Sequence, residues 1–208
     1  MDFYDVVNAR RTIRDFTDQP VEMDVVQRVL SAGLKALTND HMRNWEFVVL
    51  TDRDAIASVL QKIPQKVTGG RVDFILRFWG LKDACQQQMY RDAIPKQYSM
   101  LSASGCLILP FFKQREPLLK PKNLSSLNGF ASIWCCIQNI LLAATAEGLA
   151  GALRIPLGKE PEHIARVIQH PEAYVLPCYI ALGYPSPDAV VNAQIEHNIE
   201  DKMHINGW

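Results

Sequence analysis

Apolar residues recur along this chain in two rhythms. A first short helix is expected from Asp2, as its cap, through Asn8, with Phe3, Val6 and Val7 on one side. Behind Pro20, about Glu22–Leu34 carries Val25, Val26, Val29 and Leu30 at helical spacing. Leu127–Glu147 gives the strongest helical signal: Phe130, Ile133, Trp134, Ile137, Ile140, Leu141 and Ala144 are separated by threes and fours. Ala131, Leu142 and Ala143 widen that face, so burial on several sides is expected, in a core or against another subunit. Gly148 is placed to stop this helix, and Pro161 to open another that runs to about Gln169. Thr51 reads as the cap of a helix ending near Ile63-Pro64. The second rhythm is that of buried strands, compact and rich in β-branched and aromatic residues, at Trp45–Leu50, Cys106–Phe112 and Tyr174–Leu182. Residues 64–100 are least patterned. Gly69-Gly70 reads as a turn, Phe74–Trp79 fits a strand or a helix, and Lys82–Arg91 reads as a partly exposed helix. Lys113–Lys122 reads as a surface loop. Helices and strands mixed in this order predict an α+β fold, a sheet with helices around it, in one domain over 1–208.

Composition narrows the class. Twenty-two basic and 22 acidic residues give a formal net charge of zero, which argues against a protein that tracks a nucleic acid. Five cysteines without a CxxC do not suggest a disulfide scaffold, and Cys106, Cys135, Cys136 and Cys178 read as buried small hydrophobes. The opening residues lack the apolar core of a signal peptide, and Cys106–Phe112 is too short to span a bilayer; a cytoplasmic protein with no membrane partner is expected by default.

The densest cationic feature is Arg10, Arg11 and Arg14 around Thr12. Guanidinium forks and a hydroxyl suit phosphate oxygens, although a solvated basic turn has the same composition. Thr38-Asn39-Asp40-His41 is either a binding loop or a turn whose side chains bond their own backbone. No GxGxxG, no phosphate-binding GxxxxGK[ST], no hydrolytic triad and no metal-spaced histidine cluster is present.

Four segments in order carry a resemblance. Arg10-Arg11-Thr12-Ile13-Arg14-Asp15-Phe16 resembles the R-[RH]-S-x-[RK]-x-F signature of nitroreductase-family proteins. Residues 38–49, from Thr38 to Val49, are similar to the family's P-S-x-x-N-x-Q-P-W-x-F-V-V block. Ile137–Leu149 resembles its Q-N-L-L-L-A-A-x-x-x-G-L block, and Ala181-Leu182-Gly183-Tyr184-Pro185 its late A-L-G-Y-P.

The resemblance implies a nitroreductase-like antiparallel or mixed sheet flanked by helices, and an intertwined homodimer with two FMN sites built from both subunits. It places Arg10 and Thr12, with Arg11 alongside, at the FMN phosphate or ribityl chain. Arg14 falls beside the N1/O2 edge of the flavin, as the one residue with a direct catalytic role. Thr38, Asn39 and His41 fall beside the cofactor, and the backbone of Ala152-Leu153-Arg154-Ile155 approaches N5 and the pyrimidine edge. Two departures stand out. Trp45 lacks the proline that usually precedes it, with Arg43 in place of glutamine, and the Lys-x-Arg pair that often follows A-L-G-Y-P is missing. Lys202 and His204 are the later basic candidates for the phosphate, in a tail (about 190–208) whose Ile205 and Trp208 suggest docking on the dimer. The implied activity passes electrons from NADH or NADPH through FMN to a small electron-poor acceptor such as a nitroaromatic or a quinone. A flavin-binding storage or sensor protein is the alternative.

Overall fold

The computed structural model describes residues 1–208. Helix α1 (Phe3–Ala9) begins in a reciprocal cap. The Asp2 carboxylate accepts from the Asp5 amide at 2.9 Å, and the Asp5 carboxylate accepts from the Asp2 amide at 3.2 Å. In chain order there follow α2 (Met23–Gly33), β1 (Trp45–Leu50), α3 (Arg53–Val59), α4 (Gly69–Phe78), α5 (Ala84–Ala93), α6 (Ser99–Ser102) and β2 (Cys106–Lys113). The second half comprises α7 (Asn128–Ala146), β3 (Ala150–Arg154), α8 (Glu160–Ile168), β4 (Tyr174–Val175) and β5 (Tyr179–Gly183). One-turn 3-10 helices lie at Leu124–Leu127 and Ile199–Asp201.

The sheet runs β1-β2-β5-β3 with every pair antiparallel, and β4 adds to β2. A parallel bridge from Thr12 to Gly151 lays the basic turn along the free edge of β3, so the sheet is mixed. Alternate residues of the central strands go to opposite faces. Cys106, Ile108 and Phe112 with Ile180 and Leu182 pack against α2 and α7. Leu107, Leu109 and Phe111 with Tyr179 and Ala181 pack against α3, α6 and α8. Both faces are covered, which is why these strands are continuously apolar in sequence. The hairpin of α4 and α5 is joined by a small separate core of Val72, Leu76 and Ile94.

The structure corrects several local expectations. Asp52, not Thr51, caps α3, accepting from the Ala55 amide at 2.8 Å, and the helix stops at Val59. Gly69-Gly70 is the first turn of α4 rather than a loop, because the Thr68 hydroxyl caps it. Tyr174–Leu182 is not one strand. Between the pairs Ile108↔Ile180 and Phe112↔Val175, three residues of β2 face four, and Pro110 and Pro177 both lie in that gap. Neither proline has an N–H for a ladder, so the strand breaks there. Cys135 is exposed; Cys106, Cys136 and Cys178 are buried as expected.

Helix α7 ends where Gly148 takes φ +78 and the Leu149 amide donates back to the Ala144 carbonyl at 2.8 Å. With the 3-10 turn before it, Leu124–Ala146 has mean hydropathy 1.5 and is the one helix long and apolar enough to cross a membrane. A sheet-covering core helix meets the same description, and here Ile133, Cys136, Ile137, Ile140 and Ala144 are seated in the core.

Candidate active-site cleft

The basic turn, β3 and α7 enclose a cleft of about 300 Å³. Its position follows from backbone bonding. The Ile13 amide donates to the Gly151 carbonyl at 3.2 Å, and the Thr17 amide to the Tyr184 carbonyl at 2.9 Å, which holds residues 12–17 against the sheet. Gly183 permits this second approach: a Cβ there would come within 2.9 Å of the Phe16 ring. Arg10, Arg11, Thr12 and Arg14 form one lip. The opposite wall is a single stripe of α7, Trp134, Gln138, Leu141 and Thr145, at helical spacing, with Ile137 beside it. Gly151 and Leu153 complete the floor. A Cβ on Gly151 would sit 3.0 Å from the Leu141 side chain, so the glycine lets α7 close on the strand.

The cations differ in how far they are already engaged. Arg10 Nε is buried with no hydrogen-bond partner. An orphaned guanidinium nitrogen is costly, so an acceptor entering this cleft would be stabilised there. Arg11 instead donates to the Asn192 carbonyl. Arg14, with its side chain 11% exposed, bonds the Asp92 carboxylate of α5 at 3.1 Å. Lys96 pairs with Asp92 and with Asp15, each at 2.6 Å. Burial opposes the charge of Lys96, but the bonds to Asp15 and Asp92 outweigh it and hold the ammonium above its ordinary pKa.

The side chains of the remaining residues singled out from the sequence stay out of the cleft, although the backbone of residues 152–154 runs beside it between the lining residues Gly151 and Leu153. Ala152 points to the opposite face of the sheet and packs with Tyr179 and Ala181, while Ile155 is exposed. Arg154 turns its guanidinium away from the cleft, into a buried pair with Glu160 at 2.7 Å over the Tyr179 ring. Burial, reinforced by Glu160, raises the Tyr179 phenol above its usual pKa, and its hydroxyl donates to Glu160 at 3.3 Å. The Arg154 charge is thereby spent on joining β3 to α8. Thr38, Asn39 and His41 do not line the cleft of their own chain. Asn39 and Asp40 border a separate, wholly polar hollow of about 240 Å³ with Asn44, Lys113, Ser126 and Asn128. There Asp40 accepts from the Met42 amide at 3.1 Å and from the Thr38 hydroxyl at 3.2 Å, the self-bonded turn that is one reading of the sequence. His41 and Arg43 take positive φ of 58 and 45, held by Arg43 Nε donating to the Leu34 carbonyl at 2.7 Å. Lys202 and His204 are exposed and line no part of the cleft; the His204 ring stacks on Trp208 at 4.7 Å.

Sequence reasoning missed the α7 stripe, Gly151, Asp92 and Asn192. Gln138 stands in the block that carries the resemblance, and the periodicity of α7 fixes which residues share its face, so the stripe had a signal. Asp92 and Asn192 had none.

The arrangement suits a ligand with an anionic end and a flat, largely apolar body. Comparison with known proteins agrees. Residues 7–184 match the model of the Nitroreductase family. Iodotyrosine deiodinase of Danio rerio is 28% identical over 203 residues, 97% of this chain and 66% of that protein, so the chain spans about two thirds of its length. A crystal structure of oxidised iodotyrosine deiodinase bound to FMN and 3-iodo-L-tyrosine superposes with TM-score 0.73 at 16% identity, covering 100% of both chains. An FMN-dependent nitroreductase from Clostridium difficile R20291 gives 0.64 at 19%, covering 98% of each. At such identities the two structures speak for the fold. The family match over residues 7–184, in a mixed sheet whose edge carries the basic turn, makes this chain a member of the nitroreductase family.

Proposed function

We propose that the protein is an FMN-dependent oxidoreductase that takes electrons from NADH or NADPH and passes them to a small electron-poor acceptor such as a nitroaromatic or a quinone. The carrying observation is the unpartnered, buried Arg10 Nε inside a cleft walled by α7. FMN fits these residues: its phosphate suits Arg10 and Thr12, and its ring the apolar wall of Trp134, Leu141 and Leu153. Bound FMN supplies hydride acceptance from the nicotinamide and two-electron delivery to the acceptor. The protein's part is to anchor the anionic end, place the Arg14 cation beside the bound group, and present an apolar wall that excludes water from one side.

The proposal includes a homodimer. About 300 Å³ is at the lower end of the range for small-molecule sites, about 300–1,000 Å³. On α7 the outward positions Ala131, Cys135 and Ala146 are exposed in the single chain. Phe3, Tyr4 and Val7 of α1 are exposed, as are Ile195, Ile199, Ile205 and Trp208 of the tail. A second copy covering these groups gives them a partner and brings the Thr38–His41 turn, Lys202 and His204 within reach of a neighbour's cleft. Work on small reactants in the cytoplasm, without nucleic acid or membrane, completes the reading.

Iodotyrosine deiodinases recur among the relatives, and reductive deiodination of a halogenated phenol is the second reading. The test is anaerobic reduction of FMN-loaded protein by NADH or NADPH, followed by addition of a quinone, a nitroaromatic or 3-iodo-L-tyrosine. Loss of oxidised-flavin absorbance and its recovery with the quinone or nitroaromatic is the expected result. Recovery only with 3-iodo-L-tyrosine replaces the first reading by the second. Bound flavin that neither nicotinamide reduces overturns both and favours storage or sensing.

A further inference from the structure

Helix α5 touches the cleft only through other residues, yet one of its side chains connects three separate parts of the chain. Asp92, its side chain 7% exposed, accepts from Arg14 at 3.1 Å, from Lys96 at 2.6 Å and from the side-chain Nδ2 of Asn192 at 3.1 Å. Arg14 makes no other bond except a long contact to Met89 Sδ at 3.9 Å, one turn earlier on α5. Asn192 also accepts from Arg11 through its carbonyl, and the Cys85 thiol donates to the Ala193 carbonyl at 3.2 Å. Cys85, Met89, Asp92 and Lys96 therefore form a stripe at helical spacing along which the basic turn and residues 192–193 are laid. A carboxylate this buried is stable only when charged partners saturate it, and Asp92 holds two cations and an amide.

We propose that Asp92 is a positioning residue of the cleft: it aims the Arg14 guanidinium at the bound cofactor and, through Asn192, locks the neighbouring Arg11 out of that role. The division among the three arginines follows. Arg10 is left to meet the anion, Arg11 is a clamp on the segment after Tyr184-Pro185, and Arg14 is a cation at the cleft lip fixed in place by the Asp92 counter-charge.

This rests on the FMN reading, and the test separates the two. Redox midpoint potentials of bound FMN are measured for the full-length protein, Asp92→Ala, Arg14→Ala and the double variant, with apo-protein melting temperatures for the same four. Positioning through Arg14 predicts that Asp92→Ala moves the potential by about 30 mV, a tenfold change in the ratio of affinities for the two oxidation states. It predicts that most of that shift vanishes when Arg14 is already alanine. A shift of the same size in both backgrounds, or none in either, overturns the proposal. Should Asp92→Ala not fold, Asp92→Asn goes through the same cycle, because the criterion is non-additivity and not sign. Should the wild-type protein bind no FMN, the cofactor reading falls. The positioning role falls with it, whereas additive potentials in a protein that does bind FMN overturn the positioning role alone.

Discussion

Arginines 10, 11 and 14 are equivalent in the sequence and distinct in the fold, because Arg11 and Arg14 are engaged by Asn192 and Asp92 and Arg10 by neither. Of these three only Arg10 keeps a buried nitrogen without an acceptor, a condition that Arg154 Nε shares outside the cleft. Arg10→Met is therefore expected to weaken FMN binding by about 1.5–3 kcal/mol, the scale of a hydrogen bond to a charged group. Riboflavin, which lacks the phosphate, should lose much less. Arg11→Met should affect the two ligands equally if at all. Fluorescence titration of both flavins checks this, and an equal loss for FMN and riboflavin with Arg10→Met would place the phosphate elsewhere. The cysteines supply a second test. Burial pushes the thiols of Cys106, Cys136 and Cys178 up to about 12 from an ordinary value of 9.0. At pH 8 such a thiol is roughly one part in ten thousand thiolate, so all three should resist Ellman's reagent until urea is added. Because the folded state keeps protons that the unfolded chain releases from pH 9 upward, their contribution to stability is intact below pH 9. It is lost as pH rises toward 12. Rapid labelling of more than two thiols in the native protein would contradict their burial.

Elements with one strong local cause were legible in sequence. The threes and fours of α7 and the compact runs of β1 and β2 announce themselves, since a buried face demands that pattern of its own residues. In the α4–α5 hairpin, α5 was legible as the partly exposed helix of Lys82–Arg91, but α4 was not, because the hairpin's core is only Val72, Leu76 and Ile94, and its surface carries Phe74, Phe78 and Trp79 exposed. Periodicity is weak where little is buried. The break between β4 and β5 was hidden for another reason: it depends on Pro110 and Pro177 falling in the same interval of the β2 ladder, which neither segment reveals alone. The basic lip of the cleft could be found by charge density, whereas the Arg14–Asp92 pair spans 78 positions and has no local signature. The outward face of α7 gives a test at this scale. Cys135 is exposed in the single chain, so Cys135→Arg should leave that fold intact. If a second copy covers α7, the variant should run as one chain in light scattering and bind FMN at least tenfold more weakly. A variant still of two-chain mass with normal affinity would remove α7 from the interface.

For the molecule as a whole, the sheet sets a rigid frame, and the cleft lies at the β3 edge, where the basic turn is added in parallel. One wall of that cleft is open, and the residues from Ala193 to Trp208 are all exposed. An open site, the exposed outward face of α7 and an exposed tail are what the proposed partner copy would cover. The direct measurement is size-exclusion chromatography of the FMN-saturated protein with in-line light scattering and flavin absorbance. The account predicts a species of two chains carrying about one FMN per chain. A one-chain species with full flavin occupancy, or a two-chain species that passes the column colourless, would contradict it.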